Sequence, residues 1–302
     1  MVALWGVTEK EKSQKPFTGW RKLCQKFVQF LGQTSHRIIG FSVTIKGKRS
    51  NQASICVAAP HTTYLDSYLL YWLEQLPSTV SRKQNKDIPV AGAILDLSQS
   101  LYVAREDPDS KHNTAQEIVR RSNLYADKNV KIRWPQTLLF TEGTTSNGKA
   151  LMTFKIGAFL PGLAVQPIVI RYPNRLDTVT WTWNQTHGAA AVLFMTMAMP
   201  FTRVEFEFLP VYEPNAAEKE NPELFAFNVR KVMAEALHIP TSDMTCDSQR
   251  LSSRRNNTAR NLARIDPRLN SDFMYFNIAF VTCLVLFIIV ITILILTLCA
   301  IL

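Results

Sequence analysis

Thirty consecutive residues, Phe273 to Leu302, carry no charged side chain, and this run limits the chain's fold more than any other feature. About 20 apolar residues suffice to cross the hydrocarbon core of a bilayer, where a helix satisfies all of its own backbone groups. The run is expected to be a transmembrane helix. Arg254, Arg255, Arg260, Arg264 and Arg268 lie shortly before it, so the positive-inside tendency places the preceding body on the cytosolic side. The expected arrangement is a tail anchor over 273–302, preceded by a basic juxtamembrane linker over 251–272.

The net charge of +10 is unevenly placed. Residues 1–50 hold ten Lys/Arg against two acidic residues, 51–249 hold eighteen against twenty, and 250–302 hold six against two. A near-neutral body with basic flanks argues against nucleic acid as a partner and for flanks lying on anionic lipid. Met1 to Lys10 lacks the apolar core of a secretory signal. Trp20, Leu23, Cys24, Phe27, Val28 and Leu31 recur at helical spacing, with Arg21, Lys22 and Lys26 off the stripe. Residues 1–40 therefore read as a basic amphipathic membrane-proximal segment; packing of the same stripe on the protein's own core is the alternative. Gly188 to Phe201 is too short to span a bilayer, so a core helix or a shallow interfacial segment is expected. Its Met195, Met197 and Met199 suit either core filling or an adaptable acyl-chain groove. The five cysteines show no paired spacing, and His and Cys do not cluster as metal ligands, so neither disulfides nor a metal site is expected.

Between the flanks, strand-like and helix-like patterns alternate, which favours an α/β domain. Ser54 to Ala59 reads as a buried strand, Pro60 stops it, and Leu65 to Leu76 carries apolar residues at helix spacing. His61 falls in the loop and Asp66 in the first helical turn. On one regular helix these two would point about 140° apart, so they meet only if the chain bends between them. A histidine held by a carboxylate can take a proton from an alcohol near neutral pH; the alternative is a capping aspartate beside an incidental surface histidine.

Downstream, the strand Leu101–Val103 delivers Arg105 into a polar turn, where it suits an anionic group or an ion pair with Glu106 or Asp107. Thr137 to Phe140 is a strand running into Thr141-Glu142-Gly143-Thr144, a loop whose backbone N–H groups can cradle a phosphate, with Lys155 adding positive charge. Ala164 to Pro173 is a further core strand. Gly143 to Lys149 also fits G-x-x-x-x-G-K, but Ala150 stands where a P-loop needs a Ser or Thr hydroxyl.

In this order, His61-x4-Asp66, the Arg105 block, Glu142-Gly143-Thr144 and Val165-Gln166-Pro167 resemble the glycerolipid acyltransferases of the lysophosphatidic-acid type. Arg105–Ser110, Leu151–Phe159 and Arg171–Trp183 are closer still to lysophosphatidylcholine acyltransferases. The resemblance runs from about Thr18 to about Arg250. It implies an acyltransferase domain over 41–250 with a mixed central sheet flanked by helices. It further implies acyl transfer from acyl-CoA, a co-substrate rather than a bound cofactor, to a lysophospholipid hydroxyl at the cytosolic face of the endoplasmic reticulum membrane. His61 would be the base and Asp66 its orienter; Glu142, Gly143 and Thr144 would hold the glycerophospholipid and Arg105 an anionic group. Lysophosphatidylcholine is the expected acceptor, with lysophosphatidic acid or lysophosphatidylethanolamine as alternatives. A P-loop nucleotidase and a non-catalytic tail-anchored scaffold are the readings from other classes. Such acyltransferases usually carry an N-terminal membrane segment, and some carry calcium-binding helix-loop-helix units; neither pattern is present in this sequence.

Overall fold

The computed structural model describes residues 8–88, 90–182, 188–249 and 251. The expected anchor over 273–302 and all but the first residue of the linker over 251–272 lie outside the described residues. Among those described, no helix is long and apolar enough to cross a membrane.

Seven strands form one sheet: β1 (Phe41–Gly47), β2 (Ile55–Ala59), β3 (Ser78–Arg82), β4 (Leu101–Val103), β5 (Thr137–Phe140), β6 (Val165–Arg171) and β7 (Thr202–Phe208). Their spatial order is β1-β7-β6-β2-β5-β3-β4. All neighbours run parallel except β6 and β7, which are antiparallel. The sheet is mixed, and β2 lies at its centre, buried along its whole length. Strand alternation sends its side chains to two cores. Cys56 and Ala58 join Leu138, Ile168, Ile170, Val204 and Phe206 on one face. Ile55, Val57 and Ala59 join Val165, Val169, Phe159, Phe225 and Met233 on the other. Burial on both faces explains why these strands read as continuous apolar runs.

Pro167 lies inside β6, a position that usually excludes proline. Its carbonyl accepts from Leu209 N–H, so its missing N–H would have pointed to that same side, just beyond the β7 ladder that begins at Ile168–Phe208. The β2 ladder loses no bond.

Helices cover both faces: α1 (Glu9–Gln14), α2 (Trp20–Ile38), α3 (Ala91–Leu97), α4 (Pro108–Ala126), α5 (Ala189–Met197), α6 (Ala216–Glu220) and α7 (Pro222–Leu237). The segment expected as a helix over 65–76 is a 3-10 helix, Tyr64–Trp72. Three residues per turn place Asp66, Leu69 and Trp72 on one edge, and all three are buried.

α2 is packed the opposite way from an ordinary amphipathic helix. Its buried residues are Gln25, Gln29, Gly32 and His36, which recur at 3.6-residue spacing, while Trp20, Leu23, Phe27, Phe30, Leu31 and Ile38 are exposed. The polar face is held by hydrogen bonds. Gln25, Gln29 and Gln33 donate to the carbonyls of Leu97, Leu73 and Tyr71. His36 Nδ1 accepts from Trp72 Nε1 at 3.1 Å, and burial pushes its pKa down to about 3, so the ring stays a neutral acceptor. At Gly32 the Tyr71 ring lies 2.3 Å from where a Cβ would stand, so only glycine permits this approach. Of the expected apolar stripe, Val28 alone reaches the core cluster. Core packing does not account for the rest.

Candidate active site

Three adjacent parallel strands, β6, β2 and β5, deliver the site at their carboxyl ends, where ligands bind in open α/β sheets. Register aligns Ala59 with Val169 and Ala58 with Phe140, so the residues following each strand converge on one rim.

The chain leaves β2 at Ala59, turns through Pro60 and presents His61. His61 Nδ1 lies 2.9 Å from Asp66 Oδ2. An ionised carboxylate only accepts, so Nδ1 carries the proton and Nε2 is the free basic nitrogen. The imidazole stacks on Phe140, ring centroids 4.3 Å apart, and its side chain is 19% exposed. The bend that brings the pair together is a cap. Thr63 caps the 3-10 helix, and Asp66 reaches back to accept from Thr62 N–H and Thr63 N–H at 2.7 and 3.0 Å. One aspartate thus caps the helix and orients the histidine, so the capping reading and the catalytic reading describe the same residue.

Asp66 is wholly buried. Its second oxygen, Oδ1, accepts from Tyr172 OH at 2.6 Å. Tyr172 belonged to no expected site; it stands one residue past the end of β6. Its visible signal in the sequence is a tyrosine ending a buried strand, and only the β6–β2 pairing turns that into a neighbour of His61.

Glu142 is also wholly buried. Its Oε2 accepts from His61 N–H at 2.7 Å and its Oε1 from Met152 N–H at 3.0 Å. It therefore ties the His61 loop to the loop after β5 and does not face open solvent. Ser146 N–H donates to the His61 carbonyl at 2.6 Å and closes the same junction. Burial pushes the Glu142 pKa up to about 7 against the pull of its two backbone donors. The folded protein then holds this proton more tightly than the unfolded chain, whose carboxyl titrates near 4.5. The resulting stabilisation is full below that value and is lost as pH rises through about 7, a loss of about 3 kcal/mol at about 1.4 kcal/mol per unit. We expect Glu142→Gln to abolish that slope: urea titrations should show the wild-type stability advantage shrinking between pH 4.5 and 7.5. A constant difference across that range would show that Glu142 does not carry the proton.

Gly143 has φ +70°, and a Cβ there would lie 2.7 Å from Lys155 Cε. The lysine stem thus crosses directly over the glycine, whose N–H donates to Phe140 O. Thr144 is buried and Lys155 exposed beside this loop. Residues 143–150 contain no helix, and Leu151 instead forms a β-bridge with Thr241. A P-loop leads straight into a helix, so the G-x-x-x-x-G-K match is coincidental. Arg105 follows β4 at the sheet edge. Three strand spacings of about 4.8 Å separate the ends of β4 and β2 by about 14 Å, and Arg105 stands two residues past the end of β4.

Residues 41–171 match the acyltransferase family model, a span that runs from β1 to the end of β6 and includes His61, Asp66, Arg105 and Glu142. The chain carries a domain of the acyltransferase family. It is 46% identical over 253 residues to human lysophosphatidylcholine acyltransferase 2, covering 83% of this chain and 45% of that protein. It is 41% identical over 256 residues to a Drosophila melanogaster lysophosphatidylcholine acyltransferase, covering 84% of this chain and 46% of that protein. The chain spans about half the length of these curated relatives. The acyltransferase domain also shares its fold with the crystal structure of the 1-acyl-sn-glycerophosphate acyltransferase PlsC from Thermotoga maritima, with a TM-score of 0.52 at 13% identity, covering 78% of this chain and 84% of that one.

Proposed function

We propose that this acyltransferase domain transfers a fatty acyl group from acyl-CoA to the free glycerol hydroxyl of a lysophospholipid, with lysophosphatidylcholine as acceptor. The observation that carries the reading is the buried Asp66 holding His61 Nδ1 and leaving Nε2 at the rim. In the proposed step Nε2 takes the hydroxyl proton while the oxygen attacks the thioester carbonyl. The tetrahedral intermediate then loses the sulfur, and the thiolate takes the proton back from the imidazolium, giving phospholipid and free CoA. The thioester is already activated, so no acyl-enzyme is required, and alignment of the two substrates supplies much of the rate. Thr144 and Lys155, on the turn that Gly143 makes, would hold the acceptor's phosphate, Arg105 an anionic group, and Glu142 the loop that carries His61.

The acceptor's acyl chain explains the exposed apolar surface. Removing a chain from the bilayer costs about 0.8 kcal/mol for each methylene exposed to water, so a site at the membrane surface avoids a large penalty. The outward face of α2 suits that surface. Phe194, Met197 and Phe201, in and after α5, are exposed as well. Thr202 N–H donates to Gly40 O, so this second apolar region begins where α2 ends. We further propose that residues 1–40 lie in the interface, that 273–302 anchor the chain, and that the domain works at the cytosolic face of the endoplasmic reticulum.

The test is an acceptor screen. Membranes from cells expressing the chain would receive labelled palmitoyl-CoA with lysophosphatidylcholine, lysophosphatidylethanolamine or lysophosphatidic acid, with His61→Ala membranes as blank. Labelled phosphatidylcholine above the blank is expected. Label in another product reassigns the acceptor, and label in none overturns the activity.

A further inference from the structure

We infer that Tyr172 is a positioning residue of this site: its hydroxyl, donating to Asp66 Oδ1, fixes the carboxylate's rotation and withdraws part of its charge from His61. This rests on the acyl-transfer reading above.

The two oxygens of Asp66 are held differently. Oδ2 takes His61 Nδ1–H and the N–H groups of Thr62 and Thr63, whereas Oδ1 takes the phenol of Tyr172, just past β6 and 106 residues away. Terminal torsions such as the aspartate χ2 are broad, and a donor on the far oxygen closes that freedom. Packing alone does not need a hydroxyl here, since a phenylalanine ring would fill the same space against the core. Burial and the adjacent Asp66 charge hold the Tyr172 phenol neutral, its pKa well above the ordinary 10, so it remains a donor throughout the working range.

The sign of the electronic effect follows from charge. Each donor to a carboxylate lowers the negative potential it presents to its other partners. Without the Tyr172 hydroxyl, Asp66 would stabilise an imidazolium more strongly, and the base would be blocked by its own proton up to a higher pH. His61 from the loop after β2, Glu142 from the loop after β5, and Tyr172, just past β6, are titratable groups that bear on Asp66. Glu142 is common to wild type and variant, so a difference between them reports Tyr172.

The experiment compares wild type with Tyr172→Phe in the full chain. The expected result is kcat lower by about tenfold, KM for both substrates unchanged, and the acid limb of kcat/KM raised by about half a pH unit. Placing 3-fluorotyrosine at position 172, a stronger donor of nearly the same shape, should move the limb the other way. The titration of the His61 imidazole, followed by NMR on histidine-labelled protein, should show the same shifts without substrate. An unmoved limb and titration in both substituted proteins, whether or not kcat falls, would overturn the inference and leave Tyr172 a packing residue. Because the titration needs no turnover, a wild type inert toward every lysophospholipid would overturn the acyl-transfer reading alone.

Discussion

His61→Ala should lower kcat for acyl transfer by about 10²- to 10⁴-fold, the usual contribution of a positioned general base, while leaving the protein folded. The second half of that expectation rests on how Asp66 is held. When the imidazole is removed, Oδ2 keeps the N–H donors of Thr62 and Thr63, and Oδ1 keeps Tyr172. The buried carboxylate is therefore not orphaned. His61 itself is partly exposed and gives up mainly its stacking on Phe140. Asp66→Ala is the poorer test, because it leaves four donors facing a cavity, and each buried group without a partner costs about 1–3 kcal/mol. Initial rates at saturating acyl-CoA and acceptor, measured beside a thermal unfolding curve, check both halves. Turnover within a fewfold of wild type would remove His61 from the chemistry. A large loss of stability would show that the Thr62 and Thr63 contacts do not suffice to hold Asp66.

The central strands β2, β5 and β6 and the order of the site segments were legible because these strands pack against both cores and read as apolar runs, each ending in a polar loop, whereas β1, β3 and β7 carry no such run. His61 and Asp66 were legible as a pair through Pro60 and the capping position of Asp66, both of which are local signals. Glu142 and Tyr172 were not legible in their observed places, because each acts across a strand pairing. Glu142 sits in a loop that reads equally well as a phosphate cradle, and it turns inward only because His61 N–H and Met152 N–H converge there. The 3-10 geometry of Tyr64–Trp72 escaped for a similar reason. Its apolar spacing fits a helix of either kind, and the approach of Tyr71 to Gly32 lies in another segment. In α2 the apolar stripe was visible but its direction was not, since a glutamine row can hold a helix to carbonyls as firmly as a leucine row holds it to a core.

That direction sets the last expectation. In a chain ended at residue 251, Leu23→Ser, Phe27→Ser and Phe30→Ser together should lower affinity for anionic phospholipid vesicles by about a thousandfold or more. Burying one such side chain is worth about 1.5–3 kcal/mol, and all three stand open on the outer face of α2, at 68, 59 and 62% exposure. The fold should tolerate the change, because the contacts that dock α2 come from Gln25, Gln29, Gln33 and His36 on its opposite face. The reverse substitution separates the two faces. Gln25→Leu with Gln29→Leu strips the carbonyls of Leu97 and Leu73 of their donors, so it should lower thermal stability while vesicle affinity is retained. Lys22 and Lys26 add attraction to anionic lipid that salt screens, so the loss in the serine variant should persist at high ionic strength, where the apolar term alone remains. Vesicle co-sedimentation at low and high salt, with circular dichroism to follow the fold, reads both variants. Unchanged sedimentation of the serine variant would mean that this face meets something other than lipid.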